Sequence, residues 1–467
     1  MKISTEFKNP ETLKNGKSIN PFLLVILSFL IVIVVGTILL YMPFSQTTGH
    51  FGDIYNFVDC FFVSVSATCV TGLCSFANGI GNQLTFFGQL VVLIMIQIGG
   101  LGFITVIAFI ITLFKRKISF KNRDFLSKAV GSTSFGHVVL FVRKIIFTSL
   151  IIETIGTGLF FPVFMQCNGT NVGEAIWRSI FHSISAFNNA GFDILGNTSL
   201  IAGAGTWTEG LPAWAYTYFL SMTMILITLG GISFLVIFDV FSKKKPRQWR
   251  AFTKAVLITS SILLVSGTLL FILFECTTGN ITFLDALFQS VSCRTAGFAT
   301  FDQSTLSVGG SIVSVILMFI GGSPLGTAGG VKTTTIFMVF IALNSFISGR
   351  EMHAFNRSYS LKGIIKAMVL LAMSVVVIIV AYGIIAAIEK ATFDTDVLLF
   401  ECISAFGTVG FSKNITPLLH WGSKLVLCVL MFVGRLGPMT LFQVVQKNLY
   451  KESTRSFSYV EEDFLIG

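Results

Sequence analysis

The residues of this chain best placed to do chemistry are small and mostly uncharged, and what they offer is backbone. Four tracts share a pattern in which small or polar residues lead to a glycine followed by an apolar residue: Ser66-Ala67-Thr68-Cys69-Val70-Thr71-Gly72-Leu73, Ser185-Ala186-Phe187-Asn188-Asn189-Ala190-Gly191-Phe192, Val291-Ser292-Cys293-Arg294-Thr295-Ala296-Gly297-Phe298 and Ser404-Ala405-Phe406-Gly407-Thr408-Val409-Gly410-Phe411. They recur at intervals of roughly 110 residues, a tandem repeat. Glycine lacks a Cβ and reaches positive φ, so successive carbonyls beside it can point the same way. A ring of such carbonyls can replace the hydration shell of a cation. One tract alone reads as a turn, whereas four in register read as a coordination site. The candidate ligands are backbone carbonyls near Gly72, Gly191, Gly297 and Gly410, with Thr68 to Gly72, Asn188 to Gly191, Arg294 to Gly297 and Gly407 to Gly410 as the segments that carry them.

The elements that must position these tracts lie in a bilayer. Of 467 residues, 53% are hydrophobic and 12% charged, and the mean hydropathy of +0.83 excludes a soluble enzyme. The 49 Phe suit lipid-facing and helix-packing surfaces, and 43 Gly against 9 Pro suit close backbone approach. Apolar runs predict eight spans: Phe22 to Tyr41, Leu90 to Phe114, Ile145 to Phe164, Leu211 to Phe238, Ala255 to Phe274, a run from near Ser311 broken by glycines, Ala367 to Ile388, and Leu425 to about Val445. The first is too long for a signal peptide and is expected to be retained.

The net charge of +10 is localised. Basic clusters at Lys115 to Arg123, Lys243 to Arg250, Arg350 to Lys366 and Lys447 to Arg455 follow every second span, which puts them and both termini in the cytoplasm. They read as orientation signals and lipid-headgroup contacts rather than a nucleic-acid surface. Asp53, Asp59, Glu174, Asp193, Glu209, Asp285, Asp302, Asp394 and Asp396 then face outward.

Each outward loop holds an apolar stretch too short to cross, then its glycine tract. Irregular backbone at that depth must be buried in protein or line a water-filled path, so the tracts should meet at a pore. A short helix ending at each would aim its partly negative C-terminal pole at the ion. The expected fold is an all-α membrane protein of four tandem membrane-pore-membrane repeats with pseudo-fourfold symmetry, eight transmembrane helices and four re-entrant pore helices. The repeats run 22–130, 131–248, 249–358 and 359–450, between cytoplasmic segments 1–21 and 451–467.

The second span of the third repeat carries Gly321-Gly322-Ser323-Pro324-Leu325-Gly326-Thr327-Ala328-Gly329-Gly330, then Val331-Lys332-Thr333-Thr334-Thr335. Each Gly costs a helix about 1 kcal/mol and Pro more, so a flexible loop over about 321–335 is expected in the cavity below the tracts. Its likeness to a phosphate loop fails at Val331, where a glycine should precede the lysine. Arg435, inside Gly434-Arg435-Leu436-Gly437, must face a cavity or a partner. Glu153 reads equally as a functional carboxylate or a helix-helix bond, Lys332 as an anchor or a snorkelling cation, and Arg294 as a brace pointing behind its tract. Eight cysteines without a C-x-x-C pair and five scattered histidines suggest neither a metal site nor a disulfide framework. An intramembrane enzyme would need paired carboxylates, a Ser-His pair or metal ligands, and Glu153 is the one deep carboxylate in sight.

Thr408-Val409-Gly410-Phe411 is close to the T-V-G-Y-G potassium filter. Together with His182-Ser183-Ile184-Ser185-Ala186-Phe187-Asn188-Asn189-Ala190-Gly191-Phe192-Asp193, Gly434-Arg435-Leu436-Gly437-Pro438 and the end from Glu461-Glu462 to Gly467, it gives a resemblance over nearly the whole chain. The chain resembles the Trk/Ktr/HKT superfamily of potassium translocation subunits, closest to the bacterial Ktr membrane subunit, with the Trk type as nearest rival. The resemblance implies K⁺ as transported ion, Na⁺ as a possible activator or a less selective Na⁺-dependent carrier as the alternative, and no organic cofactor in this chain. It further implies filter glycines at Gly72, Gly191, Gly297 and Gly410, an intramembrane gate in the glycine-rich loop with Arg435 beneath the filter, and a bacterial plasma membrane location. A homodimer docked on a cytoplasmic RCK-type nucleotide-binding ring is the implied assembly. The first three tracts depart from T-V-G-Y-G, which weakens the expected selectivity.

Overall fold

The computed structural model describes residues 21–47, 53–102, 135–167, 169–196, 199–202, 206–243, 245–275, 281–390 and 392–438. The N-terminal segment, the basic cluster at Lys115 to Arg123 and the C-terminal tail lie outside them.

Long apolar helices form the periphery: α1 (Pro21–Tyr41), α5 (Phe135–Phe164), α9 (Ala251–Glu275) and α13 (Leu361–Glu389). Leu27, Ile31, Val34 and Ile38 on α1 and Val376, Ile379 and Val380 on α13 are exposed, as lipid-facing surfaces must be. Each peripheral helix packs on a shorter one that follows it, namely α2 (Ile54–Cys69), α6 (Val172–Asn188), α10 (Phe283–Ser292) and α14 (Thr395–Gly407). Acidic groups begin these short helices: Asp53 caps α2 by accepting from Tyr55 N, Glu174 lies in the first turn of α6, Thr282 and Asp285 form a capping box on α10, and Asp394 and Asp396 open α14. Much of the acidity expected at the outer mouth therefore complements helix N-termini.

A third set follows the glycine tracts: α4 (Phe86–Leu101) after the short α3 (Gly79–Gln83), α7 (Ala213–Gly231) with α8 (Phe234–Ser242), α11 (Val308–Phe319) with α12 (Thr333–Ser348), and α15 (Trp421–Leu436). α4 packs on α6, α7 on α10, α11 on α14 and α15 on α2, so the contacts close into a cycle. The largest fully buried side chains are all Phe, among them Phe62, Phe181, Phe288 and Phe406, so phenylalanine fills the space between helices as well as facing lipid. A hairpin of β1 (His353–Ala354) and β2 (Arg357–Ser358) joins α12 to α13.

Three of the expected spans are interrupted and the expected loop is shorter than its glycines suggest. Four described helices, Leu140–Phe164, Ala213–Gly231, Ala251–Glu275 and Leu361–Glu389, are by themselves long and apolar enough to cross. The run expected from Leu90 to Phe114 stops as a helix at Gly102, whose φ is 77°, and the remainder lies outside the described residues. The run from Leu211 to Phe238 is broken at the extended residues Ile232 and Ser233. The run from Leu425 to about Val445 is interrupted at Gly437, φ 81°, and its residues from 439 on lie outside the described residues. Finally, the loop expected over 321–335 ends at Lys332, because Thr333 already begins α12.

Candidate functional site

Three of the short helices, α2, α6 and α14, end on a left-handed C-cap, while α10 ends on the right-handed Cys293 and reaches positive φ two residues later. A residue in left-handed conformation stands two positions before each tract glycine: Val70 (φ 58°), Asn189 (58°), Thr295 (80°) and Thr408 (50°). The glycines follow with φ of 95°, 69°, 74° and 99° at Gly72, Gly191, Gly297 and Gly410. Three of the four left-handed residues are β-branched, a conformation that costs about 1–3 kcal/mol each and persists only where surroundings enforce it. In α2, α6 and α14 paired bonds enforce it, with Thr71 N to Ser66 O at 2.8 Å and Val70 N to Ala67 O at 3.2 Å in the first. The serine hydroxyls also bind the tracts. Ser66 Oγ accepts from Gly72 N at 3.1 Å and Ser404 Oγ from Gly410 N at 3.2 Å, while Ser185 Oγ and Ser292 Oγ donate to Phe192 O and Phe298 O at 2.5 and 2.7 Å.

The glycines meet in a ring. A Cβ on Gly72 would lie 2.5 Å from Ala190 O, on Gly191 2.5 Å from Ala296 O, on Gly297 2.1 Å from Val409 O, and on Gly410 2.3 Å from Thr71 O. The carbonyl one residue before each glycine thus touches the glycine of the tract preceding it in the cycle, and no side chain fits between. Oxygens so fixed, at the negative poles of four helices, can bind a cation and repel an anion.

Below the ring three of these helices, α4, α7 and α15, press a glycine against a tract-bearing helix. Cβ atoms at Gly99, Gly230 and Gly434 would lie 2.0 Å from Thr68 O, 1.7 Å from Phe187 O and 1.9 Å from Phe406 O. The glycine-rich loop of residues 320–332 is bonded to these same places. Ser323 N donates to Gly231 O at 3.1 Å, Thr327 N to Gly230 O at 3.2 Å and Gly330 N to Gly434 O at 3.3 Å. Arg435 donates to Thr327 O and Gly99 O, and to Gly100 O at 3.3 Å. The loop's neck is closed by the Ile320–Val331 bridge and by Thr333 N donating to Gly322 O at 3.1 Å. Gly329 lies directly under the fourth tract, where a Cβ would be 2.0 Å from Thr408 Oγ1. The loop is therefore folded and pinned across the underside of the ring, not free as its composition suggests.

Above the ring lies a cavity of about 480 Å³ onto which all four glycines open, with Asp193, Gln303, Asn414 and Thr416 on its wall. Burial pushes the Asp193 carboxyl up to about 6, opposed by hydrogen bonds from Leu195 N at 3.0 Å and from Ser199.

Several candidates reach the ring through backbone alone. Arg294 points away and donates to Ser260 O at 3.1 Å and Ser260 Oγ at 3.0 Å, bracing its tract against α9. Asn188 turns sideways to donate to Gln97 Oε1 at 3.0 Å and Glu153 Oε1 at 3.1 Å, and the Asn189 amide lies 3.3 Å from Thr295 Oγ1. Glu153 is a satisfied helix-helix contact, accepting also from Gln97 and from Ser149 at 3.1 Å. Lys332 anchors the loop by donating to Ala328 O at 2.5 Å. Cys69 is buried in the apolar core. Sequence reasoning passed over Gly99-Gly100 and Gly230-Gly231, the counterparts of Gly321-Gly322 and Gly434-Arg435. The signal was available, since Ile98-Gly99-Gly100, Leu229-Gly230-Gly231, Ile320-Gly321-Gly322 and Val433-Gly434-Arg435 form a second repeated motif.

Long helices with exposed apolar surfaces, of a length and composition that can cross a bilayer, mark an integral membrane protein. The sequence model of the TrkH family, described as cation transport protein, matches residues 3–459, and the chain belongs to that family. It is 33% identical to the potassium/sodium uptake protein NtpJ of Enterococcus hirae, over 97% of this chain and 98% of that one. It is also 33% identical to the Ktr system potassium uptake protein B of Bacillus subtilis, over 89% and 90% of the two chains. Among solved structures, the potassium transporter TrkH from Vibrio parahaemolyticus superposes with a TM-score of 0.68 at 18% identity, covering 94% of this chain and 88% of that one, which shows a shared fold.

Proposed function

We propose that this chain is the K⁺-translocating subunit of a bacterial uptake system, conducting the ion inward through the glycine ring. The observation that carries the reading is the cyclic contact of Gly72, Gly191, Gly297 and Gly410 with the neighbouring carbonyls, a backbone filter in which no side chain intervenes. Its four tracts sit in four membrane-pore-membrane repeats, with both termini in the cytoplasm of a plasma-membrane protein. The names of the two relatives, one a potassium/sodium and one a potassium uptake protein, support K⁺ as the cargo. Loop 320–332 is the gate and Arg435 its latch, since Arg435 ties Thr327 to the glycine carbonyls of α4 and places a fixed positive charge on the path. The Ktr system name of the second relative supports a multi-component assembly, read here as a homodimer on a cytoplasmic nucleotide-binding ring.

A second reading, a less selective Na⁺-dependent carrier, is favoured by one observation: the fourth tract alone has the Thr-Val-Gly order. Flux of K⁺, Rb⁺ and Na⁺ into liposomes bearing purified protein separates the two. K⁺ and Rb⁺ are expected to outrun Na⁺, and deletion of Gly322 to Gly329 is expected to raise K⁺ flux. Preference for Na⁺, or a well-folded deletion variant with no flux, overturns the proposal.

A further inference from the structure

The tract-bearing helices place equivalent residues three positions before the bracing serines Ser66, Ser185, Ser292 and Ser404, namely Val63, His182, Gln289 and Glu401. In the third and fourth units this residue reaches the chain that leaves the ring. Gln289 Nε2 donates to Gln303 Oε1 at 2.7 Å and Gln303 Nε2 to Gln289 Oε1 at 3.3 Å, a reciprocal buried pair. Thr416 Oγ1 donates to Glu401 Oε1 and lies 3.0 Å from Ser412 Oγ. Gln303 and Thr416 hold the same place, six residues after Gly297 and Gly410, and both stand on the cavity wall above the ring. Gln289 and Glu401 are 0% and 1% exposed, and Glu401 Oε2 is buried without a hydrogen bond. A buried carboxyl with one oxygen unsatisfied is costly, so its presence needs a physical reason. The first two units lack the device: Val63 is apolar, and His182 Nε2 instead lies 3.0 Å from Thr223 Oγ1 on α7.

We infer that Gln289 and Glu401 are positioning residues for ion selectivity, acting as struts between the pore helices and the outer limbs of the third and fourth tracts. The inference rests on the reading of the ring as a filter. Each of these two tracts is fixed at both ends. In the fourth, Ser404 holds the Gly410 N–H and Glu401 holds Thr416; in the third, Ser292 holds the Phe298 carbonyl and Gln289 holds Gln303. Backbone carbonyls discriminate between cations only while their spacing is held, so releasing the outer limb lets the ring adapt to the wrong ion. The struts touch no ion themselves.

The test compares K⁺ and Na⁺ flux into liposomes for Glu401→Ala, Glu401→Gln, Thr416→Val and Gln289→Ala, with Gly410→Ser as a probe of the ring itself. Glu401→Ala, Thr416→Val and Gln289→Ala are each expected to lower the K⁺:Na⁺ flux ratio by at least about fivefold, the scale of one lost buried hydrogen bond. Glu401→Gln gives the fourth strut the side chain of the third and is expected to restore the ratio to within about twofold of the parent. Glu401→Ala combined with Thr416→Val should do no more harm than either alone, because both remove one bond. An unchanged ratio in the strut variants, with Gly410→Ser lowering it, overturns the struts and leaves the filter standing. An unchanged ratio in Gly410→Ser as well overturns the filter reading. Loss in Glu401→Gln equal to that in Glu401→Ala also overturns the struts, since charge rather than the bond would then matter. If Glu401→Ala does not fold, Thr416→Val reads the same bond from the cavity wall.

Discussion

Arg435 shows what a single position could and could not reveal. A charge inside an apolar run between two glycines had to face protein or a cavity, and that much is visible in Gly434-Arg435-Leu436-Gly437. Its acceptors were not visible, because they are main-chain carbonyls of Thr327, Gly99 and Gly100, and carbonyls look alike in every sequence. Asn188 and Arg294 are the complementary case: their backbone belongs to the ring segments while their side chains satisfy Gln97, Glu153 and Ser260 elsewhere. The guanidinium, a charged donor, bridges two units through bonds to backbone carbonyls, each worth about 1.5–3 kcal/mol. Arg435→Ala is therefore expected to raise basal K⁺ flux several-fold by freeing loop 320–332, with Arg435→Lys intermediate because an ammonium lacks the fork that spans two acceptors. Flux in Arg435→Ala equal to the parent's, in protein of unchanged melting temperature, counts against the latch.

At the scale of elements, long apolar runs were legible, but of their interruptions only the glycine-rich one in the third repeat was. The break between α7 and α8 leaves Gly230 and Gly231 carbonyls free for Thr327 and Ser323, so the helix ends where the loop from the next unit needs acceptors. That reason lies roughly 90 residues away in sequence, out of reach of a windowed reading. The corner from α8 to α9 is held by Asp239, which accepts from Arg250 N at 2.9 Å and Thr253 Oγ1 at 2.7 Å and pairs with Lys243 at 2.9 Å. Burial works to raise its pKa, but the Arg250 and Thr253 bonds and the Lys243 charge outweigh it and hold the carboxyl below the usual range. With the folded value depressed, its contribution is present above the unfolded value of about 4 and is lost as pH falls through the folded value. Asp239→Asn should therefore cost about 1–2 kcal/mol at neutral pH, and the difference in melting temperature from the parent should shrink as pH drops below about 4. A difference that persists unchanged at pH 3 would show that the charge is not what holds the corner.

At the scale of the molecule, the four tract glycines contact one another in a cycle, and what the sequence left open was how that cycle is closed. Consecutive units are joined by chain, and their outer seams carry modest polar ties: Trp177 Nε1 donates to Gln89 Oε1 at 2.7 Å, Leu200 N to Ala299 O at 3.1 Å, and Asn414 Nδ2 to Asp302 Oδ1 at 2.9 Å. The seam between the first and last units has no such covalent backing. It carries an ion pair, Lys424 Nζ to Asp59 Oδ1 at 2.7 Å, with the lysine side chain 9% and the aspartate 23% exposed. Because α15 also packs on α2, this pair sits where opening of the seam would pull Gly410 from the Thr71 carbonyl. Removing one partner strands a largely buried charge, which costs more than removing both. Asp59→Asn is thus expected to lose about 2–4 kcal/mol of stability and to lower K⁺ selectivity, while Asp59→Asn with Lys424→Met recovers most of the stability. Melting curves and K⁺:Na⁺ flux on the same preparations decide it. If Asp59→Asn matches the parent in both, the seam is closed by helix packing alone and the ion pair is incidental to the ring.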